Sequence, residues 1–146
     1  TGAIDVIATD HAPHTWDEKQ QGYWKSPSGL PLVQHPLLML VDMSQEGVLS
    51  LAQIAEKTAH HVADCFQIQE RGYIREGYFA DLTLVDLNSK WTVSKENILY
   101  KCGWSPLEGT TFHSQVAKTW VNGHLAYDQG TFHEEVKGKA LEVQSN

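Results

Sequence analysis

The sequence has little cysteine, no long apolar run and a deficit of basic residues. Its two cysteines, Cys65 and Cys102, are far apart and form no C-x-x-C pair, which argues against a disulfide framework. No stretch approaches the roughly 20 apolar residues that span a bilayer. The 11 Lys and Arg are scattered singly against 18 Asp and Glu, for a net charge of −7, whereas nucleic-acid binding needs clustered cations. We therefore expect a soluble cytoplasmic protein with a small-molecule partner, and neither a nucleic acid nor a membrane.

The first half of the 146-residue chain has the pattern of an α/β protein. The continuous apolar run at 4–8 is typical of a strand buried on both faces of a parallel sheet. A polar segment at 9–14 follows it, and then a loop over 15–31 with too many Gly and Pro residues for a helix. Helical spacing predicts one helix over about 33–45 and a second one that begins at the capping box of Ser50.

The second half has the pattern of antiparallel β-structure. Alternating β-formers predict a strand over 80–87, and the Asn122-Gly123 dipeptide between two apolar runs predicts a tight hairpin. The residues after Phe132 are charged and weakly patterned, so we expect a frayed tail. The order of elements indicates an α/β part joined to a small sheet domain.

Three potentially reactive side chains follow the first predicted strand. Asp10, His11 and His14 lie where α/β enzymes carry their chemistry. Carboxylate and imidazole groups suit zinc, and such a carboxylate can also shuttle protons. However, Pro13 blocks the helix that would place His11 and His14 on one face. From these residues alone, a hydrogen-bonded turn is favoured over a metal site.

The segment 7–14, I-A-T-D-H-A-P-H, closely resembles the last barrel-strand signature of dihydroorotases, which belong to the amidohydrolase superfamily. Further similarities follow in the same order along nearly the whole chain. They are P-S-G at 27–29, G-Y-I at 72–74, A-D-L at 80–82, S-P-L-E-G at 105–109 and V-N-G at 121–123. The first segment is fairly specific to dihydroorotases, whereas the later motifs identify only the superfamily.

The resemblance implies roles for individual positions. Asp10 matches the carboxylate that binds one metal of a binuclear zinc centre and acts as general base and acid. His14 matches the residue that binds the carboxylate of the substrate. Ser28 and Gly29 match loop positions whose backbone groups hold the pyrimidine ring, whereas His11 inherits no direct role. The family's remaining metal ligands have no counterpart in this chain.

The resemblance also implies the fold and the reaction. We expect the final strand, catalytic loop and closing helices of a (β/α)8 TIM-barrel metal-dependent hydrolase at 1–64, part of a flanking small β-sandwich at 65–132, and a tail at 133–146. The implied reaction interconverts dihydroorotate and N-carbamoyl-L-aspartate in pyrimidine (UMP) synthesis. The missing N-terminal part of the enzyme would be a partner, homo-oligomerisation is open, and the isolated chain is expected to be inactive.

Three alternatives remain at this point. One is another cyclic amidohydrolase of the dihydropyrimidinase or allantoinase type, although these generally lack the second histidine of D-H-A-P-H. Another is a noncatalytic dihydroorotase-like subunit that serves as a scaffold for aspartate carbamoyltransferase. The third is an independent small binding domain.

Other histidines and tryptophans are expected to be structural. His60 and His61 are adjacent on a predicted helix and diverge by about 100° around its axis, so they do not face one metal ion. Trp91, Trp104 and Trp120 are expected to bury area in the sheet layer.

Overall fold

The computed structural model describes residues 2–144, with helices in the first half and strands in the second. The helices are α1 (Trp16–Lys19), α2 (Pro36–Gln45), α3 (Leu51–Ala55) and α4 (His61–Cys65), with a π-helical turn at Glu56–His60 and a 3-10 turn at Lys95–Asn97. The strands are β1 (Leu82–Asp86), β2 (Trp91–Thr92), β3 (Thr111–Phe112), β4 (Gln115–Val121), β5 (His124–Asp128) and β6 (Thr131–Phe132). This order confirms the predicted change from a helical part to an antiparallel β-part.

The segment 4–8 differs from its prediction, because it forms no strand in the described part of the chain. Its backbone lies instead against the π-helical turn. The Ile7 N–H donates to the Lys57 carbonyl at 3.0 Å, and the Ile4 carbonyl accepts from the Lys57 ammonium. A strand needs a neighbour to take its backbone hydrogen bonds. The segment therefore has the composition of a buried strand without a sheet around it.

Local sequence signals set the starts of α2 and α3. Pro36 lies in the first turn of α2, where its missing N–H has no helical partner to lose, so the helix starts there and not at residue 33. Ser50 and Gln53 form the predicted capping box of α3. The Ser50 hydroxyl accepts from the Gln53 N–H at 3.1 Å, and the Gln53 side chain accepts from the Ser50 N–H at 2.9 Å.

Helix α1 is a single turn inside the predicted loop, which the prediction of a helix-free loop missed. Thr15 and Glu18 form a second capping box. The Thr15 N–H donates to the Glu18 carboxylate at 2.7 Å, and the Glu18 N–H donates to the Thr15 hydroxyl at 3.3 Å. The Gly and Pro residues of the loop begin only at Gly22, so they end the turn without preventing it.

A four-stranded antiparallel sheet forms the second half, in the order β1-β4-β5-β6, and β2 pairs with β3 separately. The predicted hairpin is confirmed, since Asn122 and Gly123 connect β4 to β5. Both residues have positive φ angles, +52° and +81°. Such angles are those of the tight turn that matches the twist of paired strands, and Asn-Gly adopts it readily.

A network around Arg71 joins the segment before β1 to this hairpin. The Arg71 guanidinium donates to the Asp81 carboxylate and, at 2.7 Å, to the side-chain oxygen of Asn122. Its carbon lies 4.2 Å from the centroid of the Phe79 ring. The Asn122 N–H donates to the other Asp81 oxygen at 2.7 Å. The A-D-L and V-N-G motifs of the sequence thus meet at one buried arginine.

The core lies between α2 and the β-rich part, where Leu38, Val93 and Phe112 are buried together. His35 is fully buried beside them and stacks on Phe112. Its Nδ1 lies at hydrogen-bond distance, 2.9 Å, from the Tyr100 hydroxyl oxygen, which also accepts from the Gln34 N–H at 3.1 Å. Burial lowers the pKa of His35 because the imidazolium form loses its hydration.

Part of the C-terminal tail is ordered against the chain that follows α4, contrary to the expected fraying. The Gln69 N–H donates to the Glu142 carbonyl at 2.8 Å, and the Gln144 N–H donates to the Gln67 carbonyl at 3.0 Å. These bonds flank a bridge between Ile68 and Val143. Backbone hydrogen bonds therefore hold this part of the tail, although its charged and weakly patterned sequence does not predict them.

Within residues 2–144, no helix has the length and apolar character required to cross a membrane.

Candidate functional site

Asp10 lies at the end of the segment that runs along the π-helical turn. Its φ angle is +47°, in the left-handed region that aspartate visits more readily than most residues. Its side chain is exposed. The carboxylate is therefore presented to solvent at the start of the D-H-A-P-H segment, as a proton shuttle requires.

His11 fastens the loop that follows α1 to this segment. Its Nδ1 accepts hydrogen bonds from the Leu32 N–H at 3.0 Å and the Val33 N–H at 3.2 Å. An accepting Nδ1 leaves the ring proton on Nε2. Next to it, the Ala12 N–H donates to the Leu30 carbonyl at 3.0 Å, and His11 and Leu30 form a parallel bridge. The histidine without a predicted role thus holds the two parts of the candidate site together.

Gly29 packs directly on Ala12. A Cβ atom added at Gly29 would lie 2.5 Å from the Ala12 Cβ, far closer than carbon atoms approach, and the φ angle of Gly29 is +92°. Both the space and the backbone conformation therefore require glycine. This contact brings the P-S-G loop against the D-H-A-P-H segment.

His14 is held in place by a hydrogen bond to its backbone. Its carbonyl accepts from the Trp104 indole N–H at 2.8 Å, and Trp104 meets Trp16 edge to face at 5.4 Å. The His14 Nδ1 lies 3.9 Å from the carboxylate of Glu18. Hydrogen bonds from Thr15 hold the pKa of Glu18 below its usual value, so this carboxylate is ionised at neutral pH.

Lys19, the last residue of α1, reaches across the loop. Its ammonium donates to the Pro27 carbonyl at 2.6 Å and to the Gly29 carbonyl at 3.1 Å. Its own carbonyl accepts from the Ser26 hydroxyl at 3.2 Å. These contacts close the loop at its base and hold the peptide group that precedes Ser28 and the one that follows Gly29.

The structure therefore places the four predicted site residues, Asp10, His14, Ser28 and Gly29, on two adjoining segments. Their chemical roles remain predictions. Sequence reasoning missed the contributions of His11, Lys19 and Trp104. The position of Trp104 directly before the S-P-L-E-G motif was the available signal, yet the residue was expected to serve the sheet layer alone.

The residues present do not by themselves fit a metal centre. No group of three or more His, Cys, Asp or Glu residues that could hold a metal ion occurs between residues 2 and 144. Asp10 offers one carboxylate, while Nδ1 of His11 is already occupied by two backbone amides. His60 stacks on Tyr73 at 4.3 Å and His61 contacts the Asp5 carbonyl at 2.9 Å, so the adjacent histidines are structural.

A separate cavity of about 570 Å³ lies between the start of α2 and the sheet. Trp91, Tyr127 and Phe132 contribute to its mainly apolar lining. None of the predicted site residues lines it. The surface at Asp10 and this cavity are thus different places.

Comparisons with known proteins identify the family to which the chain is similar. The model of the amidohydrolase family matches residues 1–126. The chain is 39% identical over 132 residues to a dihydroorotase of Halobacterium salinarum and 34% identical over 136 residues to a dihydroorotase of Pyrococcus abyssi, with 89% and 93% of this chain covered. It spans 31% of the length of each of these relatives. It also superposes on the dihydropyrimidinase of Brevibacillus agri with a TM-score of 0.82 and 26% identity, over 90% of this chain and 30% of that chain.

Proposed function

This chain belongs to the amidohydrolase family, and from that premise we propose that it forms the C-terminal part of a dihydroorotase. The proposed reaction is the reversible hydrolysis of dihydroorotate to N-carbamoyl-L-aspartate, a step of pyrimidine synthesis in the cytoplasm. The observation that supports it best is the contact of Gly29 with Ala12, which joins the two dihydroorotase-like segments into one surface. The dihydroorotases of similar sequence support the substrate.

In the hydrolytic direction, a water oxygen bonds to the ring carbonyl carbon and the ring C–N bond breaks. The exposed carboxylate of Asp10 takes a proton from the water and delivers it to the leaving ring nitrogen. His14 binds the carboxylate of the substrate, and backbone groups of Ser28 and Gly29 orient the ring. Each role is proposed from the resemblance and from the adjacency of these residues.

The proposal includes a metal-dependent site to which Asp10 contributes one carboxylate. The dihydroorotase resemblance points to a binuclear zinc centre, whose other ligands must come from protein outside this chain, since residues 2–144 hold no sufficient group of ligands. The 146-residue chain alone is accordingly proposed to be inactive.

The test replaces Asp10 by Asn in the full-length protein and follows dihydroorotate by its ultraviolet absorbance. Loss of the proton shuttle is expected to lower kcat by about 10²–10⁴-fold. Asp17→Asn is the matched control, because Asp17 is exposed on α1 and its replacement removes the same charge. Turnover retained in the Asp10→Asn enzyme would contradict the assignment.

A second arm distinguishes a dihydroorotase from the dihydropyrimidinase alternative, which the structural similarity to the Brevibacillus agri enzyme favours. His14→Ala is compared on dihydroorotate, which bears a ring carboxylate, and on dihydrouracil, which does not. Loss of a charge-assisted hydrogen bond is expected to lower kcat/KM for dihydroorotate by about 10–100-fold more than for dihydrouracil. Equal losses, or turnover of dihydrouracil alone, would favour the dihydropyrimidinase.

The noncatalytic scaffold alternative is tested by the residues encoded ahead of Thr1. A His-x-His pair after an early strand would supply metal ligands and support the enzyme. Apolar residues at those positions would support the scaffold, with aspartate carbamoyltransferase as its partner.

A further inference from the structure

The side chain of Lys19 contacts the loop that follows α1. Lys19 ends a helix of only four residues, yet its side chain is directed back to the loop and donates to carbonyl oxygens at 2.6 and 3.1 Å. Within the described residues, no carboxylate pairs with its ammonium. The Lys19 ammonium therefore binds the Pro27 and Gly29 carbonyls and forms no ion pair within the described residues.

These two carbonyls bracket Ser28. A lysine has three donors on one nitrogen, so a single side chain can hold both oxygens at a fixed separation. The Pro27 carbonyl belongs to the peptide plane that contains the Ser28 N–H, and the Gly29 carbonyl belongs to the plane that follows Gly29. The Ser28–Gly29 peptide, which contains the Ser28 carbonyl, therefore lies between two held planes, and its freedom to rotate is reduced. The remaining side of the loop is held independently, by the packing of Gly29 on Ala12.

We propose that Lys19 is a positioning residue that aligns the backbone groups of Ser28 for the ring of a cyclic amide substrate. This inference rests on the proposed function, because it assumes that Ser28 faces the substrate. Lys19 acts through the loop and does not take part in proton transfer. Asp10 is carried by a different segment, whose contacts to Leu30, Leu32 and Val33 do not involve Lys19.

The separation of these contacts predicts a specific kinetic signature. Removing the ammonium should loosen substrate binding and leave the chemical step nearly intact. Lys19→Met keeps the apolar stem and deletes the donors, so in the full-length enzyme we expect the KM for dihydroorotate to rise about tenfold, as for one lost hydrogen bond to a charged group, with kcat changed less than about threefold.

Two further variants complete the experiment. Lys19→Arg restores donors that can reach both carbonyls, and it should recover most of the KM. Lys25→Met is the matched control, because Lys25 is an exposed lysine of the same loop and its side chain makes no hydrogen bond to the described residues. Its kinetics should equal those of the wild type.

Backbone hydrogen exchange of the peptide covering 26–33 supplies a readout that does not depend on turnover. Lys19→Met should exchange about tenfold faster there than the wild type, and Lys25→Met should not. An unchanged KM, a loss confined to kcat, or equal effects of Lys19→Met and Lys25→Met would overturn the positioning role. If the wild-type enzyme does not turn over dihydroorotate, the proposed function fails, and unchanged exchange in Lys19→Met would then overturn the loop-holding role separately.

Discussion

The contact between Gly29 and Ala12 gives the sharpest test of how the site is assembled. In Gly29→Ala, the new Cβ would lie 2.5 Å from the Ala12 Cβ, whereas carbon atoms pack at about 3.5–4.0 Å, so the two segments must separate by about 1 Å. The φ angle of +92° adds backbone strain of about 1–3 kcal/mol for a residue with a side chain. With the steric overlap, we expect a total loss of about 2–4 kcal/mol in the free energy of unfolding.

The same displacement should reduce activity. The hydrogen bond from Ala12 to Leu30 is 3.0 Å long, and a shift of about 1 Å would stretch it beyond the usual range of 2.7–3.2 Å. Misplacement by about 1 Å can cost 10²-fold in rate, so kcat/KM for dihydroorotate should fall by about that factor. Thermal unfolding and the ultraviolet assay measure the two effects on the same full-length protein.

Two controls separate the causes. Gly22→Ala lies in the same loop, meets nothing within 4 Å and has no positive φ, so it should change stability by less than about 0.5 kcal/mol. In the double variant Ala12→Gly with Gly29→Ala, the nearest Ala12-position atom becomes the Cα at 3.9 Å, an ordinary contact. The double variant should regain the free energy of unfolding that Gly29→Ala loses to steric overlap, and it should keep the loss that is due to backbone strain at residue 29. The reasoning is refuted if Gly29→Ala behaves like Gly22→Ala.

Two further predictions concern stability. Because burial lowers the pKa of His35, the unfolded chain binds a proton at a higher pH than the folded chain does. The contribution of neutral His35 to the free energy of unfolding should therefore be complete above about pH 6.5. Below that pH it should fall by up to about 1.4 kcal/mol per pH unit until the pKa of the folded state is reached. Chemical unfolding between pH 5 and 7.5 measures this slope, which His35→Gln should flatten and an unaltered slope would contradict. Arg71→Met should cost about 2–3 kcal/mol by removing the guanidinium that donates to the Asp81 carboxylate and to the Asn122 side-chain oxygen. The loss is smaller than for a fully buried pair because Asp81 is partly exposed and keeps the hydrogen bond from the Asn122 N–H. Arg75→Met, which removes an exposed arginine, should cost less than about 1 kcal/mol in the same measurement, and equal losses would refute the role of the network.

The elements that sequence reasoning predicted correctly are those specified by neighbours in the chain. The Ser50 capping box, Pro36 in the first turn of α2 and the Asn122-Gly123 turn each act over four residues or fewer. The missed α1 belongs to the same class, since Thr15 and Glu18 show the capping pattern in the sequence. Its omission came from giving the glycines and prolines downstream too much weight.

The failures have a different physical origin, because they depend on contacts between distant residues. The apolar run at 4–8 predicts a strand only if other strands flank it, and none does so in residues 2–144. The hydrogen bond from Trp104 to His14 spans 90 positions, and no local pattern encodes it. The site residues were predicted by resemblance to a family, and the contacts that hold them came only from the structure.

The hydrogen bond from the Ser26 hydroxyl to the Lys19 carbonyl closes a stretch of six residues, 20–25. Because the contacts of Lys19 to Ser26 and Pro27 hold both ends of this stretch, a change in its length need not move Ser28. Tyr23 and Trp24 at its tip are 87% and 93% exposed, and their rings meet edge to face. Doubling the length of a flexible loop costs only about 0.6 kcal/mol in closure entropy. The tip is thus a natural point for insertions, where a reporter peptide or a loop of different specificity can be carried without moving the surface below it.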